Sequence, residues 1–270
     1  MKHRLLLNHI VAPTMPVVEL LQLSRRLGLS GIELRNDLGS DSPLKDASAT
    51  EVRSRASELG QELFSINALQ KCDDPSARPN LIASLRSLAE LAVDLGVRAI
   101  VMCPLNDNSD TRTNEQRHAD LVTNLRSFAP ILEDSGVIGM IEPLGFPQSS
   151  LRSVRTAADA VLQTERSCFA VVIDSFHFAL GTDTMADLLQ YPTETIGLVH
   201  LSGVEEDLPA DRLLDEHRLL VTRRDRLGTL ELISVLDERG YTGPYSLEPF
   251  SPSVHMLSER ELECALSESV

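Results

Sequence analysis

The stretch Val137-Ile138-Gly139-Met140-Ile141-Glu142-Pro143 is an unbroken apolar run that ends in a carboxylate and is closed by a proline. Apolar side chains on both parities suit a strand covered on both faces, as in a parallel sheet flanked by helices. Proline has no N–H for a sheet ladder, so the run reads as a strand ending at Glu142. A helical pattern precedes it at residues 114–134, stopped by Gly136, and another follows at Val154–Thr164.

The same unit recurs outward in both directions. Downstream, Phe169–Asp174 precedes a helix near residues 183–190, the strand at residues 196–200 leads through a polar loop to a helix at residues 227–239, and the strand at residues 245–248 precedes a helix at residues 258–267. Upstream, strands at residues 4–9, Gly31–Arg35, residues 62–67 and residues 97–103 alternate with helices at residues 17–27, Ala49–Leu59 and residues 81–95. No linker or low-complexity break interrupts the alternation, so residues 1–270 read as a single domain. Eight strand–helix units in a chain of this length predict a (β/α)8 barrel, typically about 250 residues. A doubly wound sheet is the alternative.

Composition narrows the partners. The chain has 42% apolar and 24% charged residues and a formal net charge of -15. That is a globular composition whose surface repels nucleic-acid backbones and anionic lipid. The basic run Arg223-Arg224-Asp225-Arg226 is a local exception. The start, Met1-Lys2-His3-Arg4 before Leu5-Leu6-Leu7, has a signal-peptide look, but Asn8 and His9 interrupt it and no small-residue cleavage site follows. Cys72, Cys103, Cys168 and Cys264 are scattered, as reduced thiols in a cytoplasmic protein would be. A small-molecule partner is therefore expected, with no nucleic acid and no membrane; self-association into a homo-oligomer is left open.

Glu142, Asp174, His200 and Glu248 each stand at the end of a predicted strand, in successive units. Singly, each has an ordinary explanation: a loop contact for Glu142, a helix N-cap for Asp174, a satisfied core imidazole for His200, a structural salt bridge for Glu248. Together, at the face of a barrel that carries active sites, they bring several negative charges to one confined point, and that needs a cation. Three oxygen donors and one nitrogen suit a divalent ion such as Mn, Co, Mg or Zn.

The ordered set Glu142, Asp174-x-x-His177, His200 and Glu248 on strands five to eight resembles the xylose-isomerase-like TIM barrels, which include sugar isomerases and ketose 3-epimerases. Within them the chain looks most like the inosose (2-keto-myo-inositol) isomerases, on the stretches Ser65-Ile66-Asn67-Ala68-Leu69, Glu142-Pro143-Leu144-Gly145-Phe146-Pro147-Gln148 and Leu213-Leu214-Asp215-Glu216-His217-Arg218. The resemblance implies one divalent ion held by Glu142, Asp174, His200 and Glu248. It further implies that Glu142 and Glu248 exchange a substrate proton through an enediolate. His177 would reach a substrate hydroxyl and Arg218 would grip a substrate oxygen. Such arginines usually precede a glycine-rich segment, and here Val221-Thr222-Arg223-Arg224-Asp225-Arg226-Leu227-Gly228 follows instead.

His9, Glu33, Arg35, Asn67 and Gln148 also lie near predicted strand ends and are candidates to line the pocket. Ketose 3-epimerases tend to carry a further glutamate near position 148, so Gln148 favours the inosose-isomerase-like reading. Hydroxypyruvate isomerase, ketose 3-epimerase and inosose dehydratase chemistry on the same scaffold are the alternatives to that reading, and a non-catalytic sugar-binding barrel ranks below these enzymes. A related apurinic-site endonuclease would want more than seven histidines and a basic surface.

Overall fold

The computed structural model describes residues 4–39, 44 and 47–269. Eight parallel strands close into a barrel in the order β1-β2-β3-β4-β5-β6-β7-β8, with β1 paired to β8. They are β1 Leu5–Asn8, β2 Gly31–Arg35, β3 Glu62–Leu69, β4 Ala99–Met102, β5 Ile138–Ile141, β6 Phe169–Asp174, β7 Ile196–Leu201 and β8 Tyr245–Leu247. The helices are α1 Val17–Arg26, α2 Ala49–Leu59, α3 Arg78–Leu95, α4 Asn114–Ser135, α5 Val154–Thr164, α6 Ser175–Leu180, α7 Met185–Leu188, α8 Thr229–Glu238, α9 Pro252–His255 and α10 Glu259–Glu268. The expected strands and helices are all present, with some shifted ends. Residues 1–3, 40–43, 45, 46 and 270 of the expected domain lie outside the described residues.

Local chemistry explains the element boundaries. Thr113 and Gln116 form a reciprocal capping box at the start of α4, and Gly136, at φ 69°, ends it in the left-handed conformation that lets the chain turn directly into β5. Strand 97–103 is trimmed to Ala99–Met102, because Val97 still bonds back to Ala92 at the end of α3. The helix expected near residues 183–190 is only the single turn α7. Directly after β6 stands α6, which only the N-cap reading of Asp174 implied: Ser175-Phe176-His177-Phe178-Ala179-Leu180 is too short and too apolar to show a helical period.

Alternation along each strand sorts the core into two layers. Leu5, Leu7, Ile32, Leu34, Ile100, Met102, Ile141, Val171, Ile173, Val199, Leu201, Tyr245 and Leu247 face outward and join the helices in the main apolar core. Leu6, Phe64, Ala99, Val101, Met140, Val172 and Leu198 face inward and fill the barrel. The inward parity continues to the strand C-termini and there becomes polar: Asn8, Glu33, Arg35, Glu142, Asp174, His200 and Glu248 are all buried. The barrel is thus plugged with hydrocarbon below and carries its charged groups at the end where such folds hold their sites. Among the described residues, no helix is long and apolar enough to cross a membrane.

Candidate metal centre

The four strand-end residues converge. One ligand atom from each of Glu142, Asp174, His200 and Glu248 lies within 4.8 Å of the others, and all four side chains are buried. His200 Nδ1 is 2.7 Å from Glu142 Oε1 and 3.4 Å from Glu248 Oε2. Its other nitrogen, Nε2, is 3.1 Å from Glu33 Oε1 and 3.3 Å from Oε2. Asp174 does cap α6, as its ordinary explanation expects: Oδ1 accepts the His177 N–H at 2.9 Å. That leaves Oδ2 for Arg218, whose Nη2 bonds both Asp174 and, at 2.8 Å, Glu248 Oε2.

Glu33 is held by the Ser65 hydroxyl and, at 3.2 Å, by Asn8 Nδ2. Burial alone would raise its carboxyl, yet the neighbouring His200 imidazole, then the Ser246 and Ser65 hydroxyls, bring it down to about 2. It is therefore a fixed anion that takes the Nε2 proton and turns Nδ1 toward Glu142, Asp174 and Glu248. A carboxylate oxygen and a bare imidazole nitrogen cannot face each other at 2.7 Å without a cation between them. A proton or a metal ion can take that place. Burial works against the proton, but Glu248, Glu33 and Glu142 raise the His200 pKa well above its ordinary value.

The charge balance supports a metal in place of that proton. Four buried carboxylates, Glu33, Glu142, Asp174 and Glu248, meet two buried guanidiniums, Arg35 and Arg218. With His200 neutral, the two unmatched negative charges equal the charge of one divalent ion. The carboxylates crowd one another: burial raises Glu248 to about 8, His200 and Arg218 oppose the rise, and Glu142 adds to it. Asp174 is held well below the ordinary range, since Arg218, then His177 and His200, overcome the effect of burial. The oxygen and imidazole donors and the carboxylate behind the histidine fit a divalent ion.

A cleft of about 190 Å³ opens beside the cluster, and Asn67, Cys103, Glu142, His177, Arg218 and Glu248 are among its lining residues. Asn67 Nδ2 lies 3.4 Å from Glu248 Oε1. His177 stands edge-on to Phe146 and Phe176, with centroids 5.1 and 5.4 Å away. Burial lowers its pKa, so the ring is neutral; its Nδ1 is buried without a hydrogen-bond partner among the described residues. Gly145 lets the loop after β5 pack on α6, because a Cβ there would lie 2.5 Å from the His177 carbonyl oxygen. Arg218 also stacks over Phe250 and Phe176, with its guanidinium carbon 4.4 and 5.1 Å from the ring centroids.

Two expected pocket residues lie elsewhere. His9 falls in the 3-10 turn His9–Val11 after β1, where Nε2 is 2.8 Å from the Met15 carbonyl oxygen. Gln148 is half-buried in a turn in which Ser149 N bonds Phe146 O at 3.0 Å, and it does not line the cleft. The residues not singled out beforehand are Asn8, Ser65, Cys103, Phe146, Phe250 and Ser202, whose hydroxyl accepts from Arg218 Nε at 3.1 Å. Asn8 and Cys103 had a signal, since both share the inward parity of their strands.

Comparison with known proteins follows from this geometry. The inosose isomerase of Halalkalibacterium halodurans is 26% identical to this chain over 247 residues, covering 91% of this chain and 86% of its own length. A xylose isomerase domain containing protein from Salmonella typhimurium LT2 superposes with a TM-score of 0.92 at 31% identity, over 100% of this chain and 96% of that one. An IolI protein with a bound zinc atom superposes with a TM-score of 0.88 at 25% identity, over 97% and 94% of the two chains. The family model described as xylose isomerase-like TIM barrel matches residues 21–269. The chain belongs to the xylose isomerase-like TIM barrel family.

Proposed function

We propose that this protein is a divalent-metal-dependent isomerase or epimerase of a sugar or cyclitol, with 2-keto-myo-inositol (inosose) as its first candidate substrate. The observation that carries this reading is the buried convergence of Glu142, Asp174, His200 and Glu248 beside a small-molecule-sized cleft. The inosose isomerases among its relatives and the zinc-containing IolI protein support it. An ion bound by the four residues would supply Lewis acidity at a carbonyl and its neighbouring hydroxyl.

The chain's own groups supply the rest. Glu142 and Glu248 flank the cleft as candidate proton carriers for a C–H next to the carbonyl. The two guanidiniums are already matched to carboxylates, so the cleft selects for a neutral polyol over an anion. Neutral His177 and the Asn67 amide offer hydrogen bonds to hydroxyls, and Phe146, Phe176 and Phe250 limit water around them.

The test is deuterium wash-in from solvent across inososes, ketohexoses, tetruloses and hydroxypyruvate, with and without a chelator. Exchange next to the carbonyl, lost on chelation and restored by Mn²⁺, Co²⁺, Mg²⁺ or Zn²⁺, is expected for one member of the panel. No exchange with any of them, or exchange indifferent to the chelator, rejects the proposal.

A further inference from the structure

The loop that follows β5 has two faces. Glu142, Leu144 and Phe146 line the cleft beside the metal centre. Residues 147 and 149–153 of the same loop line a second cavity of about 300 Å³, which the starts of α4 and α5 close. The two share no lining residue. Both helix ends are capped from within the protein, α4 by Thr113 and Gln116 and α5 by Ser153 and Asp183, so what the second cavity offers a ligand is side chains.

Those side chains are basic in a chain of net charge -15. Arg117, Arg152 and the half-buried His118 line the cavity, with Asp73 as the one acid on its walls. Asp73 is already engaged, by Arg112 at 2.9 Å and by the Leu105 N–H at 2.7 Å. The acids behind the walls are engaged too: Asp110 by Arg112 and Arg117, Asp120 by Arg112, and Asp183 by the Ser153 and Tyr191 hydroxyls and the Val154 N–H.

Several donors are left over. Arg152 is anchored from behind: Nε and Nη2 donate to the Gly145 carbonyl oxygen at 3.1 and 2.8 Å, and Nη2 also donates to the Leu180 carbonyl oxygen at 2.8 Å. No carboxylate pairs with it among the described residues, and Nη1 remains. Arg117 likewise gives Nε and Nη2 to Asp110 and keeps Nη1. The Ser150 hydroxyl oxygen is buried without a hydrogen-bond partner among the described residues, a cost that a bound acceptor would remove. Thr156 adds a hydroxyl from α5. A planar carboxylate is held best by two parallel N–H bonds of one guanidinium, and Arg152 has only Nη1 left to give. Single donors from three walls suit a tetrahedral ion instead.

We propose that this cavity binds one tetrahedral oxyanion, inorganic phosphate or the phosphate group of a small ester, with Arg117, His118, Ser150, Arg152 and Thr156 as its donors. The site is independent of the enolisation proposed above. Through Arg152 the ion braces the Gly145 and Leu180 carbonyls, and with them the loop after Glu142 and the end of α6.

Calorimetric titration of the whole chain with inorganic phosphate, glycerol 3-phosphate and glycerol tests this. Saturable one-to-one binding of a phosphate compound, and none of glycerol, is the expected result; the tighter of the two phosphates distinguishes free ion from ester. His118→Glu on α4 and Thr156→Glu on α5 each set a carboxylate against the ion and should weaken binding at least about tenfold. Both are part-exposed helix positions that tolerate the change. Phosphate held at the metal centre would ignore both substitutions, so binding that survives unchanged in either variant overturns the proposal, as does a parent protein that binds neither phosphate. Thr156→Lys separates charge from shape. It should bind phosphate at least as tightly as the parent, and a loss equal to that of Thr156→Glu overturns the proposal.

Discussion

Glu33 Oε1 stands 3.1 Å from His200 Nε2, on the side of the imidazole away from the ligand cluster. Both side chains are fully buried, and the two residues come from β2 and β7, three strands apart around the closed barrel. A carboxylate behind a ligating histidine fixes its tautomer and raises its basicity. Glu33→Gln keeps the shape but removes the charge that orients the Nε2 proton. The expected outcome is a loss of about 10- to 100-fold in Mn²⁺ affinity by calorimetry, with the fold unchanged by circular dichroism. Affinity equal to that of the parent protein would mean that Glu33 does not tune the site.

Metal binding to the folded state alone stabilises it by mass action. The cluster confines mutually repelling carboxylates, so an ion bound there would relieve a repulsion that exists only in the native protein. At a free ion concentration one hundred times the Kd, the gain is about 2.7 kcal/mol. Urea unfolding with Mn²⁺ and with a chelator should therefore differ by about that amount. Coincident curves count against the site.

Arg35 gives a prediction in which stability and ligation interact. Its side chain is 5% exposed, and it pairs with Glu248, 3% exposed, at 2.8 Å. Arg35→Met preserves volume but leaves Glu248 with one guanidinium fewer. Removing one member of a buried pair costs about 3–5 kcal/mol. The cost is expected in full in the chelated protein and should shrink when Mn²⁺ is bound, because the ion then supplies positive charge to the same carboxylate. An equal cost in both states would show that Arg35 and the ion site are uncoupled.

The sequence made some of this legible for a physical reason. Strand alternation is a period of two, so Gly31-Ile32-Glu33-Leu34-Arg35 already assigns Glu33 and Arg35 to one face and Ile32 and Leu34 to the other. The same rule separates Asn8 from His9. Proximity to the strand end suggested His9, but one residue reverses the direction, and it is Asn8 that points inward to Glu33 and Glu248. Arg218 lies in the long β7–α8 connection, where no period exists to show its burial; only its resemblance to a known motif marked it. The turn carrying Gln148 is likewise aperiodic, and its orientation is set by tertiary contacts such as the bridge between Ser149 and Asn106. Helix α6 is hidden because most of its single turn and a half is covered: Ser175, Phe176, His177 and Leu180 are buried and Phe178 is half-buried, so Ala179 alone is exposed and no polar face marks a period.

Away from the cleft, the β4–α4 loop holds a network that should govern acid stability. Asp110 is 3% exposed and accepts from Arg112 Nε at 2.9 Å and from Arg117 Nε at 2.9 Å, while Arg112 also pairs with Asp73 at 2.9 Å. Burial alone would raise the Asp110 carboxyl, but its hydrogen bonds with Arg112 and the neighbouring guanidinium charges bring it below the ordinary value. A carboxyl whose pKa is lower in the folded than in the unfolded chain stabilises the fold fully above the unfolded value, about 3.9. That contribution is lost as pH falls through the lower, folded value. Asp110→Asn removes the titration but not the shape. At pH 7 the variant should be less stable by about 1.5–3 kcal/mol, the usual worth of hydrogen bonds to a charged group. Urea unfolding between pH 7 and pH 2.5 should show the two proteins converging only at the acid end. A stability difference that stays constant over the whole range would show that the Asp110 charge contributes nothing and that its side chain acts by shape alone.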